Sequence, residues 1–383
     1  MIRPRVCVFS TNFLDFSQTF VYDELRHHQR WDASVICHQR RNADRFPWDD
    51  ALVLDRPGAL GRLDGLVYKA TGTSPTALRW IRERRFDLLH AHFGPGSMYA
   101  LGPAALFDLP LVVTYHGYDV PLLGSRERLR PRYWRYGALS GLMLRRVDRF
   151  LAASDELGRM LVEFGAPPER VHVWRLGVTI PDTWSPRPLR DDVRVVMIGR
   201  FVEKKGFEYG VAAFARVAAH HPRAVLQIIG DGPGRAGLDA RIAEHRLGDR
   251  VQMLGVLPHA EVFTTLEAAD VLMAPSVVDA NGNRESGLLV IKEAAARGLP
   301  AVGTLHGGIP EIIDDGVTGF LVPERDVDAL AVRLGTLVGD AAVRQGMGIA
   351  ARAKMEREYE IVARVRVLED HYDAARAERR SRR

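Results

Sequence analysis

Short apolar runs alternate with amphipathic stretches along the whole chain. In the first half the pattern predicts strands over 5–10, 33–38, 88–92, 111–115 and 150–153, with helices over 19–28, 75–85 and 154–164 between them. Ser74 before Pro75, and Ser154 before two acids, are helix-start signatures. After Asp192 the alternation restarts, with strands predicted over 193–198, 225–229, 251–254, 271–274, 301–303 and 320–322 and helices of about a dozen residues between them. Runs such as Val-Val-Met-Ile-Gly at 195–199 are apolar on both faces, as a parallel sheet covered by helices on both sides requires. The expectation is α/β: two Rossmann-like, doubly wound parallel-sheet domains. The first domain spans 1–184, a Pro-rich linker 185–192 and the second domain 193–357. A crossover helix with a basic tail, 358–383, returns to the first domain. Ligands of such folds bind at the carboxyl ends of strands, here in a cleft between the domains.

Composition narrows the class. With 383 residues, 46% hydrophobic and 26% charged, the chain is too long for one core and too apolar for disorder. No apolar run approaches the roughly 18 residues of a membrane span, and the N-terminus enters a strand without a secretory segment. Cys7 and Cys37 sit in apolar runs and read as small buried hydrophobes, which points to a reducing cytoplasm. The net charge of +5 falls entirely in residues 1–185, which hold 25 Lys and Arg against 20 Asp and Glu. No nucleic-acid-binding pattern accompanies it, so nucleic acid is not expected as a partner. An anionic lipid surface or a phosphorylated small molecule fits the surplus. Residues 126–149 mix eight arginines with Tyr133, Trp134 and Tyr136. They read either as an interfacial surface at the inner leaflet or as an amphipathic helix pair with a solvated basic face.

Candidate chemistry lies at strand ends. Gly199, Arg200, Lys205 and Gly206 form a strand-to-helix loop whose two cations suit a dianion, although alone it reads as a charged turn. Glu285 and Glu293 are eight apart, and both face one side if a helix starts near Ser286, with the amides of Gly287 and Leu288 open to an anion or a sugar hydroxyl. His116 and Asp119 follow the strand at 111–115. His90 and His92 form a His-x-His pair without a third ligand of suitable spacing, so no metal is expected. Gly232, Gly234 and Gly237 match a dinucleotide fingerprint, but the strand after it ends without an acid and Pro233 removes an amide from the turn. Nicotinamide binding is therefore not expected, and the loop from Gly230 is placed near the ligand. Asp326 and Asp328 read as helix capping rather than a metal–nucleotide site.

Taken in order, the Gly-Arg-x4-Lys-Gly loop, Gly-Asp-Gly-Pro, Glu-x7-Glu and Gly-Gly-Ile-Pro-Glu-Ile-Ile-Asp-Asp-Gly-Val-Thr-Gly-Phe-Leu-Val-Pro at 307–323 resemble retaining, nucleotide-sugar-dependent glycosyltransferases of the GT-B fold. The chain is similar to the colanic-acid and exopolysaccharide branch of the bacterial group one family. In the first half the resemblance runs through Ser17-Gln18-Thr19-Phe20, His90-Ala-His92-Phe93-Gly94 and His116-Gly-Tyr-Asp119. It implies that Arg200 and Lys205 hold the donor diphosphate, Glu285 contacts the transferred sugar, Glu293 the ribose, and His116 lies beside the sugar. Gly199, Gly230, Gly232, Ser286, Gly287, Leu288 and Leu289 complete the implied donor contacts; Ser17, Gln18, Thr19, His92 and Asp119 face the acceptor. The implied reaction is a metal-independent, retaining, front-face transfer to a saccharide or lipid-linked glycan. It needs no cofactor beyond the nucleotide sugar and takes place in the cytoplasm or peripherally on the inner membrane face. Two departures stand out: Thr11–Thr19 replaces a Gly-Gly loop, and Glu285-Ser286-Gly287 replaces Glu-Gly-x-Gly. A nucleotide-sugar epimerase and a non-catalytic sugar-nucleotide-binding module are the alternatives.

Overall fold

The computed structural model describes residues 3–14 and 18–382, and the chain divides into two units. One comprises Met1–Gly177 with Ile361–Arg383, the other Val178–Glu360. In the first unit seven parallel strands stand in the order β3-β2-β1-β4-β5-β6-β7. They are β1 Arg5–Phe13, β2 Asp32–Arg40, β3 Ala51–Val53, β4 Leu88–His92, β5 Leu111–Tyr115, β6 Arg149–Ala152 and β7 Val171–Val173. In the second unit six parallel strands run β10-β9-β8-β11-β12-β13. These are β8 Arg194–Ile198, β9 Val225–Ile229, β10 Val251–Gly255, β11 Val271–Ala274, β12 Ala301–Thr304 and β13 Gly319–Val322. Both sheets reverse strand order next to their first strand, the doubly wound topology. Central strands β4, β5 and β11 are buried along their whole length, because helices cover both faces.

The eleven expected strands and the three helices expected in the first half are present. Ser74 and Ser154 cap their helices, accepting from the amides of Ala77 (3.2 Å) and Leu157 (3.3 Å). Two differences concern the boundaries. The units part at Gly177, ahead of the Pro-rich 185–192 stretch expected to link them, because side chains tie that stretch to the second unit. Trp184 donates to the Arg297 carbonyl (3.0 Å), Arg187 to those of Leu266 (2.8 Å) and Glu267 (2.6 Å), and Arg190 to Asp270 (2.9 Å). Buried Tyr359 closes the preceding helix, so the last helix starts at Ile361 and runs to Ser381.

That last helix packs on the first unit, as the fold class implies. Its Glu369 is wholly buried and accepts from the amides of Gln29 (2.8 Å), Arg30 (2.7 Å) and Trp31 (3.0 Å). Asp373 accepts from the Trp31 indole at 3.1 Å. Three of the arginines expected as a basic tail are paired, Arg376 with Asp87, Arg379 with Asp108 and Arg382 with Asp148, while Arg380 is exposed. Arg383 lies outside the described residues.

Within 126–149 there is one α-helix, Trp134–Arg146, preceded by a 3-10 turn, Arg126–Leu129, instead of a helix pair. Pro131 falls between the two. Four of the arginines are internal clips, Arg128 through the Leu123 carbonyl (2.9 Å). Arg135 donates to the carbonyls of Thr71 and Met98, Arg146 to Asp148 and the Ala104 carbonyl, and Arg149 pairs with Glu378. Arg126, Arg130, Arg132 and Arg145 are exposed beside exposed Leu129, Trp134 and Leu142.

Candidate functional site

The second unit gathers its polar groups where β8, β11 and β12 end. β8 runs into Gly199-Arg200, a 3-10 turn Glu203–Lys205 and the helix Phe207–His220. Gly206 starts that helix at φ 62°, and a Cβ there would collide with the Pro275 carbonyl, so only glycine lets the loops meet. The Gly230–Gly234 loop serves the same region. Phe201 donates its amide to the Asp231 carbonyl (2.9 Å), and Gly234 donates to the Phe201 carbonyl (2.9 Å). A Cβ on Gly230 would strike the Gly199 carbonyl. These glycines therefore admit the neighbouring Arg200 loop, which accounts for their spacing.

Lys205 donates to Glu285 Oε2 at 2.9 Å, and Lys204 stands 3.0 Å from Oε1. Lys204 was not foreseen; it lies one residue before the lysine of the expected pattern. Burial opposes ionisation of Glu285, but the two lysines outweigh it and bring the carboxyl down to about 2. The Arg200 side chain is exposed and makes no hydrogen bond or ion pair among the described residues. The unit thus holds an exposed guanidinium on the same loop as two ammonium groups that already grip a carboxylate.

Glu285 is held from behind. Its amide donates to His306 Nε2 (2.9 Å), and His306 Nδ1 lies 2.7 Å from Glu324 Oε1. His306 is buried, and Glu324 also accepts from the Val278 amide (2.9 Å). No pattern marks His306 or Glu324 in the sequence, because their partners lie on other strand ends. The helix expected from Ser286 starts instead at Leu289, after Leu288 adopts φ 32°. Glu285 therefore sits in a loop with Ser286 and Gly287, while Glu293 lies on the helix Leu289–Ala295 and meets His259 at 3.1 Å.

A pH prediction follows from Glu285. Its folded pKa lies below the ordinary 4.5, so it stabilises the fold above about pH 4.5 and loses that contribution as pH falls toward 2. The full difference corresponds to about 3 kcal/mol. Urea unfolding between pH 6 and 2.5 should show Glu285→Gln losing less stability on acidification than the wild type. Parallel acid limbs would refute the lysine clasp.

In the first unit, β5 ends at Tyr115 and the chain turns through His116–Asp119. Asp119 is fully buried and accepts from the amides of Gly94 (3.0 Å), His116 (3.2 Å) and Gly117 (2.9 Å). Burial raises its carboxyl to about 6, against those amide bonds. Asp119, expected to face an acceptor, instead shapes the loop that carries His116. His92, also expected to face the acceptor, is buried, and its Nδ1 lies 3.1 Å from His116 Nε2. Phe20 packs on His116 with ring centroids 4.5 Å apart, which brings the Gln18-Thr19 helix start to the same place. Burial, and then His92, hold His116 well below the usual histidine range, so its ring is neutral. Ser17 lies outside the described residues. Glu24, overlooked in the sequence, reaches the His-x-His pair, 3.4 Å from His92 Nε2 and 3.6 Å from His90 Nδ1.

Two family models match in tandem: Glycosyltransferase Family 4 over residues 17–180 and Glycosyl transferases group 1 over 183–354. The chain is 35% identical to the colanic acid biosynthesis glycosyltransferase WcaL of Escherichia coli over 65% of its length and 61% of that protein. It is 31% identical to the amylovoran biosynthesis glycosyltransferase AmsK of Erwinia amylovora over 71% of its length and 66% of that protein. It thus spans about two thirds or less of these curated relatives. Among solved structures, Anabaena HepE in complex with UDP and glucose superposes with a TM-score of 0.76 at 19% identity, covering 97% of this chain and all of that one. Sucrose-phosphate synthase of Thermosynechococcus elongatus gives 0.77 at 20% identity, covering 98% and 100%. These likenesses show the GT-B fold.

Proposed function

The chain belongs to the group 1 glycosyltransferases, in the exopolysaccharide branch, and we propose that it moves a sugar from a nucleoside diphosphate donor to a saccharide or lipid-linked acceptor with retention. The observation that carries this reading is the unengaged Arg200 guanidinium on the loop of Lys204 and Lys205. In the proposed reaction the bond from the anomeric carbon to the diphosphate breaks, and one from that carbon to an acceptor oxygen forms. The acceptor proton passes to the departing phosphate oxygen. Charge builds on the diphosphate as the sugar leaves, and fixed cations at that position lower the barrier. Arg200 offers a planar fork to phosphate oxygens, Lys205 a compact charge.

In the ion pair seen here Glu285 fills the place of an anion between the two lysines. On donor binding, the reading has Lys205 exchange this carboxylate for phosphate and Glu285 turn to the hydroxyls of the transferred sugar. Glu285→Gln should then bind a nucleoside diphosphate more tightly, by severalfold in Kd, while transfer slows. Glu293 and the amides of Gly287 and Leu288 complete the proposed donor contacts, and His116 is assigned to the sugar.

With cations supplied by side chains, transfer should proceed equally with and without added Mg2+ or Mn2+. A panel of nucleoside diphosphates and their sugars, scored by melting-temperature shift, identifies the donor, since a ligand bound to the folded state raises the melting point. Turnover of that donor with an acceptor, with the α or β configuration followed by NMR, tests the reaction. A covalent glycosyl-enzyme in the mass spectrum would replace front-face transfer by double displacement. Conversion of the donor alone to an epimer would favour an isomerase, and binding without turnover a carrier module. Exposed Arg130 and Arg132 beside Leu129 and Trp134 support a lipid-facing role for this segment. Reversing both charges should then abolish sedimentation with phosphatidylglycerol vesicles.

A further inference from the structure

We propose that the first unit holds a divalent transition-metal ion, of the zinc class, between Glu24, His90 and His92, with Tyr372 completing the site. The helix Thr19–Arg26 carries Glu24, β4 carries both histidines, and the last helix carries Tyr372. All four side chains are buried, with relative exposures of 0–1%. Glu24 Oε1 lies 3.6 Å from His90 Nδ1 and 3.4 Å from His92 Nε2. A tetrahedral ion with bonds near 2.0–2.1 Å sets its ligand atoms about 3.3 Å apart, so the two carboxylate–imidazole separations need shrink only slightly, while the Tyr372 hydroxyl would move away from His90.

Of the Glu24, His90 and His92 donor atoms, only His90 Nδ1 has a hydrogen-bond partner among the described residues, the Tyr372 hydroxyl. Both carboxylate oxygens of Glu24, and Nε2 of His92, are buried without a hydrogen bond among the described residues. Buried polar atoms of this kind are seldom left unmatched, and an unseen ion is one standard remedy. The far side of each imidazole is engaged. His92 Nδ1 meets His116 Nε2 at 3.1 Å, and His90 Nε2 meets Thr114 Oγ1 at 2.8 Å. Ligating histidines are oriented this way, with the outer nitrogen held by a partner so that the inner one presents its lone pair. His90 Nδ1 also touches the Tyr372 hydroxyl, at 2.6 Å. With an ion present, that hydroxyl oxygen becomes the fourth ligand. The added charge is met by Glu24 and by Glu369, buried one helical turn before Tyr372. Imidazole and carboxylate oxygen together suit Zn2+ and Co2+, while Mg2+ and Ca2+ prefer oxygen alone.

The site adjoins His116 through His92, but its test reads ion retention rather than transfer, so the two proposals fail separately. Untagged full-length protein, unfolded in chelator and refolded with one equivalent of Zn2+ or Co2+, should retain about one ion per chain after desalting. The Co2+ form should show the visible bands of a tetrahedral nitrogen–oxygen site. It should lack the intense near-ultraviolet band of a thiolate, which would signal capture by Cys7 or Cys37 instead. Glu24→Gln and His92→Gln should each drop retention at least tenfold. Should either variant fail to fold, the wild-type Co2+ spectrum still decides. Wild-type protein that refolds and retains no ion, retains it through sulfur, or retains it equally in a folded His92→Gln variant overturns the proposal.

Discussion

Arg200→Ala and Lys205→Ala should each lower kcat/KM for the donor by about 10²- to 10³-fold, a loss of about 3–4 kcal/mol of transition-state stabilisation. The fall should lie mainly in kcat, because the charge these side chains meet is largest as the diphosphate departs. Folding is not at risk in the first variant, since the Arg200 side chain is exposed and unpaired among the described residues. In the second, Glu285 keeps Lys204 at 3.0 Å, so the buried carboxylate is not stranded. Calorimetry should show an unchanged melting temperature for the first variant and a modest fall, from the lost half of the clasp, for the second. The double variant should fall short of the product of the single effects, because one cation partly covers for the other on a shared diphosphate. Steady-state kinetics with the identified donor is the measurement, and a double variant turning over within threefold of wild type would end the case for this site.

Glu369→Ala is expected to be the most damaging substitution outside the donor loops. The carboxylate accepts three successive amides, those of Gln29, Arg30 and Trp31, in a wholly buried position. Removing it strands those donors beside an Arg30 side chain that also leans on it at 3.4 Å. The cost should be about 3–5 kcal/mol, by analogy with breaking buried charged pairs. For a unit of this size that is a fall of roughly 6–20 °C in the melting temperature. Differential scanning calorimetry should place the loss in the transition of the first unit, leaving that of residues 178–360 in place. Glu369→Gln keeps one acceptor oxygen and should lose less. A shift below about 2 °C in the alanine variant would mean that water replaces the carboxylate.

What could be read beforehand followed from which features are local. β4, β5, β9 and β11 are apolar runs bounded by turns, and their limits matched the expectation to the residue. β3 and β7 escaped notice because they are three-residue, half-buried edge strands with no alternation to detect. At the site, the Gly-Arg-x4-Lys-Gly order was visible because its residues share one loop. The clasp of Glu285 by Lys204, and its support by His306 and Glu324, join residues far apart in the chain and left no local trace. Glu24 was missed for the same reason: it lies 66 residues before His90, on a helix whose apolar face was the only thing its sequence announced. Asp119 looked like a substrate contact because a His-Gly-x-Asp pattern cannot reveal that the carboxylate turns inward to three amides.

The first unit is interrupted in sequence, and this bears on how the chain is made. Its seven strands are complete by Val173, yet the helix that seats Trp31 and meets His90 is translated only after the entire second unit. At 5–20 residues per second the ribosome needs roughly 10–40 s to cross that interval. Residues 178–360 are contiguous and can close their own sheet as they emerge, whereas the earlier half stays open along one flank until the closing helix arrives. The upstream half therefore completes its packing only after the downstream unit has been translated.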